Sequence, residues 1–90
     1  MFKMTWALVA EHADEWTGAH FGEAAMVLDE KVGAAVAGSG MNPEAQAHFR
    51  DAFLSPVREG ISMEGREAVG AGREWSKAAG PLLVVLTPAA

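Results

Sequence analysis

Phe2-Lys3-Met4-Thr5-Trp6-Ala7-Leu8 fits two periods, and the choice between them decides the fold. At period two, Phe2, Met4, Trp6 and Leu8 form one apolar face with Lys3 and Thr5 opposite, the pattern of a half-buried β-strand. At the helical period, Phe2 and Trp6 open a longer stripe through Val9, Ala13, Trp16, His20, Ala24 and Val27. The longer stripe continues past residue 10, and on that ground the sequence predicts a helix over about 4–37. Gly18 and Gly22 interrupt it, each costing about 1 kcal/mol relative to Ala, so a kink is expected near 17–22. Val27, Leu28, Val32, Ala35 and Val36 carry the apolar face onward.

Downstream, Ala37-Gly38-Ser39-Gly40-Met41 is the clearest turn. Asn42-Pro43-Glu44 then supplies an N-cap, a proline at the first helical position and an early acid. A second helix is predicted over 43–54 with Ala45, Phe49 and Phe53 on its face. Ser55-Pro56 repeats the cap-plus-proline signature and predicts a kink or a new helix over 56–79. In that third segment Gly60, Gly65 and Gly70 recur every five residues, a spacing that turns through about 140° net and so does not line one face of a regular helix. Gly80-Pro81 reads as a stop. Leu82-Leu83-Val84-Val85-Leu86-Thr87 reads as a short strand or an extended hydrophobic arm.

The expected fold class is therefore mainly α: a small helical hairpin or three-helix arrangement over 1–80, with a C-terminal arm over 81–90. One domain is the most that 90 residues allow. A chain this short buries only about 60% of its unfolded surface. Three Trp and four Phe lead a thin set of bulky apolar side chains, so assembly with another chain is an expected source of stability.

Seven basic against twelve acidic residues give a net charge of −5 without a basic cluster, which disfavours nucleic acid as a partner. The absence of cysteine excludes disulfides, thiol nucleophiles and thiolate metal sites, and fits a reducing compartment. The apolar run Leu82–Leu86 is far shorter than the roughly 20 residues of a membrane span, and the N-terminus lacks a signal-peptide core. The expectation is a cytoplasmic or virion protein with no membrane partner.

Chemistry-bearing patterns are sparse. Each histidine has an acid three residues later: His12 with Glu15, His20 with Glu23, His48 with Asp51. On a helix such pairs share a face. Their order is the reverse of the Glu-x-x-His of di-metal helical bundles, and His12 and Glu23 would lie about 16 Å apart along a helix. His12 and His48 are expected on solvated faces and His20 within the apolar stripe, with no metal or cofactor site. Ser39, Ser55, Ser62 and Ser76 lack a nucleophile-elbow context, and Gly38-Ser-Gly40 and Gly70-Ala-Gly72 lack the remainder of a phosphate loop. No enzymatic activity is expected.

Trp16-Thr17-Gly18 is a Trp-x-Gly tripeptide, and in that feature the chain resembles the small helical-hairpin substrates of type VII secretion, as it does in length, acidity and lack of cysteine. In that family the tripeptide lies in the turn between two long helices. Too few residues precede it here, and there is no tyrosine to complete the family's secretion motif.

Function is accordingly expected through protein–protein contacts, as a structural or assembly protein, homo-oligomer or subunit of a larger particle, such as a phage head or neck component. The expected interface is Trp75, an anchor with little apolar company, together with Leu82, Leu83, Val84, Val85 and Leu86, which as a lone strand would lack a ladder partner. That segment has two candidate partners: residues 2–10 if those form a strand, or another chain. The alternative function is an acidic inhibitor or antitoxin-like binder presenting Glu11, Asp14, Glu15 and Glu23 to a basic surface. A metal-binding helical protein assembled from the His and Glu pairs stands third.

Overall fold

The strand reading of residues 2–8 is the one realised. In the computed structural model, which describes residues 1–8 and 12–89, the chain is a mixed α and β fold rather than a three-helix arrangement. Strand β1 (Phe2–Leu8) pairs antiparallel with β2 (His12–Gly18). Next come α1 (Phe21–Ala37) and a helical run from 43 to 70, followed by β3 (Trp75–Ala79) and β4 (Leu82–Pro88). The sheet order is β2-β1-β4-β3. Two hairpins thus meet along their first and last strands, Phe2 facing Pro88 and Leu8 facing Leu82. Val9 of the supposed stripe and Glu11 of the acidic group lie outside the described residues.

The helix expected over 4–37 fails in its first half for a physical reason. Phe2 and Trp6 satisfy both periods, but Met4 and Leu8 belong only to the strand period, and all four side chains are at most 5% exposed. Lys3 is exposed on the other side. From Phe21 onward the helix is real. Its buried positions, Ala24, Ala25, Leu28, Val32 and Val36, follow the spacing that the sequence displays.

The second helical run keeps its predicted start. The Asn42 side-chain oxygen accepts a hydrogen bond from the Ala45 N–H at 2.8 Å, and Pro43 occupies the first turn of α2 (Pro43–Phe49). A π-helical turn, Arg50–Leu54, separates α2 from α3 (Ser55–Gly60). Pro56 has no N–H and its ring crowds the carbonyl four residues back, so the backbone widens ahead of it. A second π turn, Ile61–Gly65, leads into α4 (Arg66–Gly70). The junction residues all keep right-handed helical dihedrals, so the run bends without breaking.

That second π turn resolves the five-residue glycine spacing. A π turn closes i→i+5 bonds, which brings residues five apart toward one side. Gly60 and Gly65 are both buried against the sheet. A Cβ on Gly60 would lie 2.7 Å from Trp75 Cζ2, and one on Gly65 would lie 2.7 Å from Leu86 Cδ1 and 3.1 Å from Trp75 Cε3. The indole of Trp75 therefore lies across a floor that only glycine provides. Gly70, with nothing within 4 Å of its Cβ position, takes no part.

Residues 75–79, expected as the end of a third helix, form the edge strand β3, and residues 82–88 are an interior strand rather than a free arm. Gly80-Pro81 is the two-residue link between them, Ala79 pairing with Leu82. Gly80 has φ of +56°, and the Phe53 ring lies where its Cβ would be. Both facts demand glycine.

All helices pack on one face of the sheet. The core joins Phe2, Met4, Trp6 and Leu8 of β1 and Leu82, Val84 and Leu86 of β4 to the buried faces of α1 and to Phe49, Leu54, Val57 and Ile61 of the second run. Phe2 stacks on Phe21 at 4.3 Å between centroids and meets Trp16 edge-on at 5.6 Å, which closes the β2 end of the core. Across the helical layer, Asp29 of α1 receives Arg50 at 2.8 Å and Arg58 at 3.3 Å. No described helix is long and apolar enough to cross a membrane.

Candidate protein-contact face

Strand alternation sends every second residue away from the helices, and no element covers that side among the described residues. Register orders these outward residues into three rows. One row holds Ala13, Ala7, Leu83 and Ala78; the next holds Glu15, Thr5, Val85 and Ser76; the last holds Thr17, Lys3 and Thr87. The first row is wholly apolar. Leu83, 44% exposed, is its single large side chain, flanked in register by Ala7 and Ala78. The face carries one cation and one anion, Lys3 and Glu15, which pair with each other at 3.6 Å.

The six residues expected at an interface are divided by this geometry. Leu82, Val84 and Leu86 are at most 1% exposed and belong to the core. Their backbone groups have ladder partners on both sides, in β1 and β3. Trp75 is half-buried on the helix side, over Gly60 and Gly65. Leu83 and half-buried Val85 lie on the uncovered face. Thr5, Ala7, Ala13 and Ala78 join them there; none of the four was expected at an interface, and Ala13 falls in the helical stripe instead. Their one trace in the sequence is the unbroken run Leu82–Leu86, which leaves no polar alternate for the outward side of β4 at Leu83 and Val85.

The titratable residues do not converge. His20 is exposed just before α1, where it was expected to pack within an apolar stripe. His48 is exposed and meets Phe53 edge-on at 5.9 Å. His12 is in β2 opposite Leu8, while Glu15 of the same strand pairs with Lys3. Among the described residues no three His, Asp or Glu side chains gather as a metal site would require. Asp14 pairs in register with buried Trp6 and Glu15 with half-buried Thr5, so these adjacent carboxylates point to opposite faces of the sheet. A cleft of about 360 Å³ beside α1 is lined by Trp6, Leu8, Asp14, Lys31 and Val32. It brings one carboxylate and one ammonium to an apolar wall, with no hydroxyl nucleophile among its lining residues. The Trp16-Thr17-Gly18 tripeptide lies within β2, its indole folded over Gly18, and not between two helices. Compared with known protein families, curated proteins and solved structures, the chain shows no match.

Proposed function

We propose that the chain acts through protein–protein contacts, as a non-enzymatic structural or assembly protein, and that the uncovered sheet face is its contact surface. One observation carries the reading: β4, apolar on both faces, is an interior strand of a sheet that its own helices cover on one side only. An antiparallel sheet that faces water normally alternates apolar and polar residues. Here the outward positions of the two interior strands are Lys3, Thr5, Ala7, Leu83, Val85 and Thr87, with a single charge among them. Exposed apolar area of this kind is stabilised by removal from water at roughly 25 cal/mol per Å².

The edges support a face contact over lengthening of the sheet by strand addition. β2 carries Asp14 and Glu15, and β3 is five residues long with Lys77 at its centre. Short or charged edge strands resist pairing with further strands.

Site-specific photo-crosslinking in the source cells tests this. A photoreactive residue at Ser76, on the rim of the face, is expected to yield a protein adduct. The same residue at exposed Ser62, on the helical layer, is expected to yield none. No adduct at position 76, or equal yields at both positions, would overturn the reading.

A further inference from the structure

We infer that the occupant of the uncovered face is a second copy of this chain, stacked sheet to sheet about a two-fold axis that runs parallel to the strands. The inference rests on the contact-face reading above and narrows it to one partner.

Self-complementarity is the first ground. A two-fold interface must present the same patch from both sides, so a protrusion needs a hollow related to it by the axis. Leu83 is the protrusion, and Ala7, its registered neighbour on β1, is the hollow. With the axis between β1 and β4 and along the strands, each β1 lies over the partner's β4. Each Leu83 then falls on the partner's Ala7, and Ala13 faces Ala78. The apolar row meets itself, leaving Lys3 and Glu15 in the more polar rows toward the other end.

The competing in-plane axis, across the strands, reverses the rows. It would set Lys3, the partner of Glu15 in its own chain, over Ala7 and would lay Glu15 over the Glu15 of the second copy, like charge against like. Electrostatics agree with the first arrangement. The chain carries −5, but this face carries one Lys and one Glu, so two copies can approach here without placing the acidic excess of either in the interface.

Area sets the strength. Four strands at about 4.8 Å spacing and some 20 Å of paired length give roughly 400 Å² per copy, or about 800 Å² in total. That is below the roughly 1,200 Å² at which stable complexes begin, so the dimer is a weak, reversible one.

Sedimentation equilibrium over about 5 to 500 µM tests it, with circular dichroism confirming that each variant folds. The wild-type chain is expected to pass from monomer to dimer. Leu83→Asp and Ala7→Leu, each on the outward face, are expected to weaken association at least about tenfold, through a buried charge and a filled hollow respectively. The double variant Leu83→Ala/Ala7→Leu exchanges protrusion and hollow and is expected to restore association to near the wild-type level. A wild-type chain that stays monomeric at the highest concentration overturns the inference, as does a dimer indifferent to Leu83→Asp or a double variant no better than Ala7→Leu. An adduct at Ser76 to a different protein, with the chain itself monomeric, would remove the second copy and leave the contact face standing. No adduct at all would remove the contact face.

Discussion

Replacing Gly60 by alanine sets two effects of known sign against each other. Alanine favours a helical backbone over glycine by at most about 1 kcal/mol. The added Cβ would lie 2.7 Å and 2.9 Å from Trp75 Cζ2 and Cη2, where ordinary carbon contacts begin near 3.5 Å, so the indole must retreat by roughly 0.8 Å. Trp75 cannot do so freely, because Gly65 lies against the same ring and Leu86 is its registered partner on β4. Overpacking of this kind costs about 1–3 kcal/mol, so the steric effect wins and Gly60→Ala is expected to destabilise the fold by about 1 kcal/mol. For a chain of this size that lowers Tm by roughly 4–8 °C. Urea unfolding followed by circular dichroism, at one protein concentration for all variants, measures it. In a Trp75→Ala background the collision is gone, and the same substitution is expected to stabilise by up to about 1 kcal/mol, a coupling of about 2 kcal/mol. Gly22→Ala in α1, with nothing within 4 Å of its Cβ position, serves as the control and is expected to be neutral or stabilising. Gly60→Ala as stable as wild type, or a loss unchanged by removing Trp75, would refute the packing of the π turn on the indole.

Gly80→Ala combines a positive φ of +56° with a collision against Phe53; a loss of about 1–3 kcal/mol in urea unfolding is expected. Asn42→Ala removes the acceptor for the Ala45 N–H and is expected to cost about 0.5–2 kcal/mol, whereas Asn42→Ser should retain most of the stability. Asp29→Ala breaks contacts to two arginines that are 50% and 42% exposed. After solvent screening the expected loss is under about 1 kcal/mol and should shrink further in high salt, as thermal melts at two ionic strengths would show.

The legible parts of the fold were those with purely local causes. Asn42-Pro43 caps a helix because the side chain and the fixed φ act on the next turn, whatever the remainder of the chain does. The stripe from Ala24 to Val36 gives α1 because its period matches no strand. The edge strands were not legible. β2 reads His-Ala-Asp-Glu-Trp-Thr-Gly and β3 reads Trp-Ser-Lys-Ala-Ala. As edge strands they reach only the rim of the core, where their helix-side positions include Asp14 and Lys77, so neither carries a full alternation of apolar residues. Leu83 and Val85 were visible as apolar residues of the C-terminal run, but Ala7 and Ala78 are small residues with no pattern of their own, and Ala13 fell in with the misleading helical stripe. They matter only because register places them beside Leu83.

Local sequence was enough for three features: the lack of thiol chemistry, the helices α1 and α2, and an apolar run at 82–86 of strand length. Tertiary structure alone decided that residues 2–8 are a strand. Phe2 and Trp6 satisfy both periods, and the strand is realised because β2 on one side and Leu82–Pro88, some eighty residues away in sequence, on the other supply the ladders that a strand at 2–8 requires. The pairing with β4 also decides between the two readings of the C-terminal run, in favour of a short strand joined to residues 2–8 over an extended arm. It left Leu83 and Val85, of the six residues first expected at an interface, on the uncovered face.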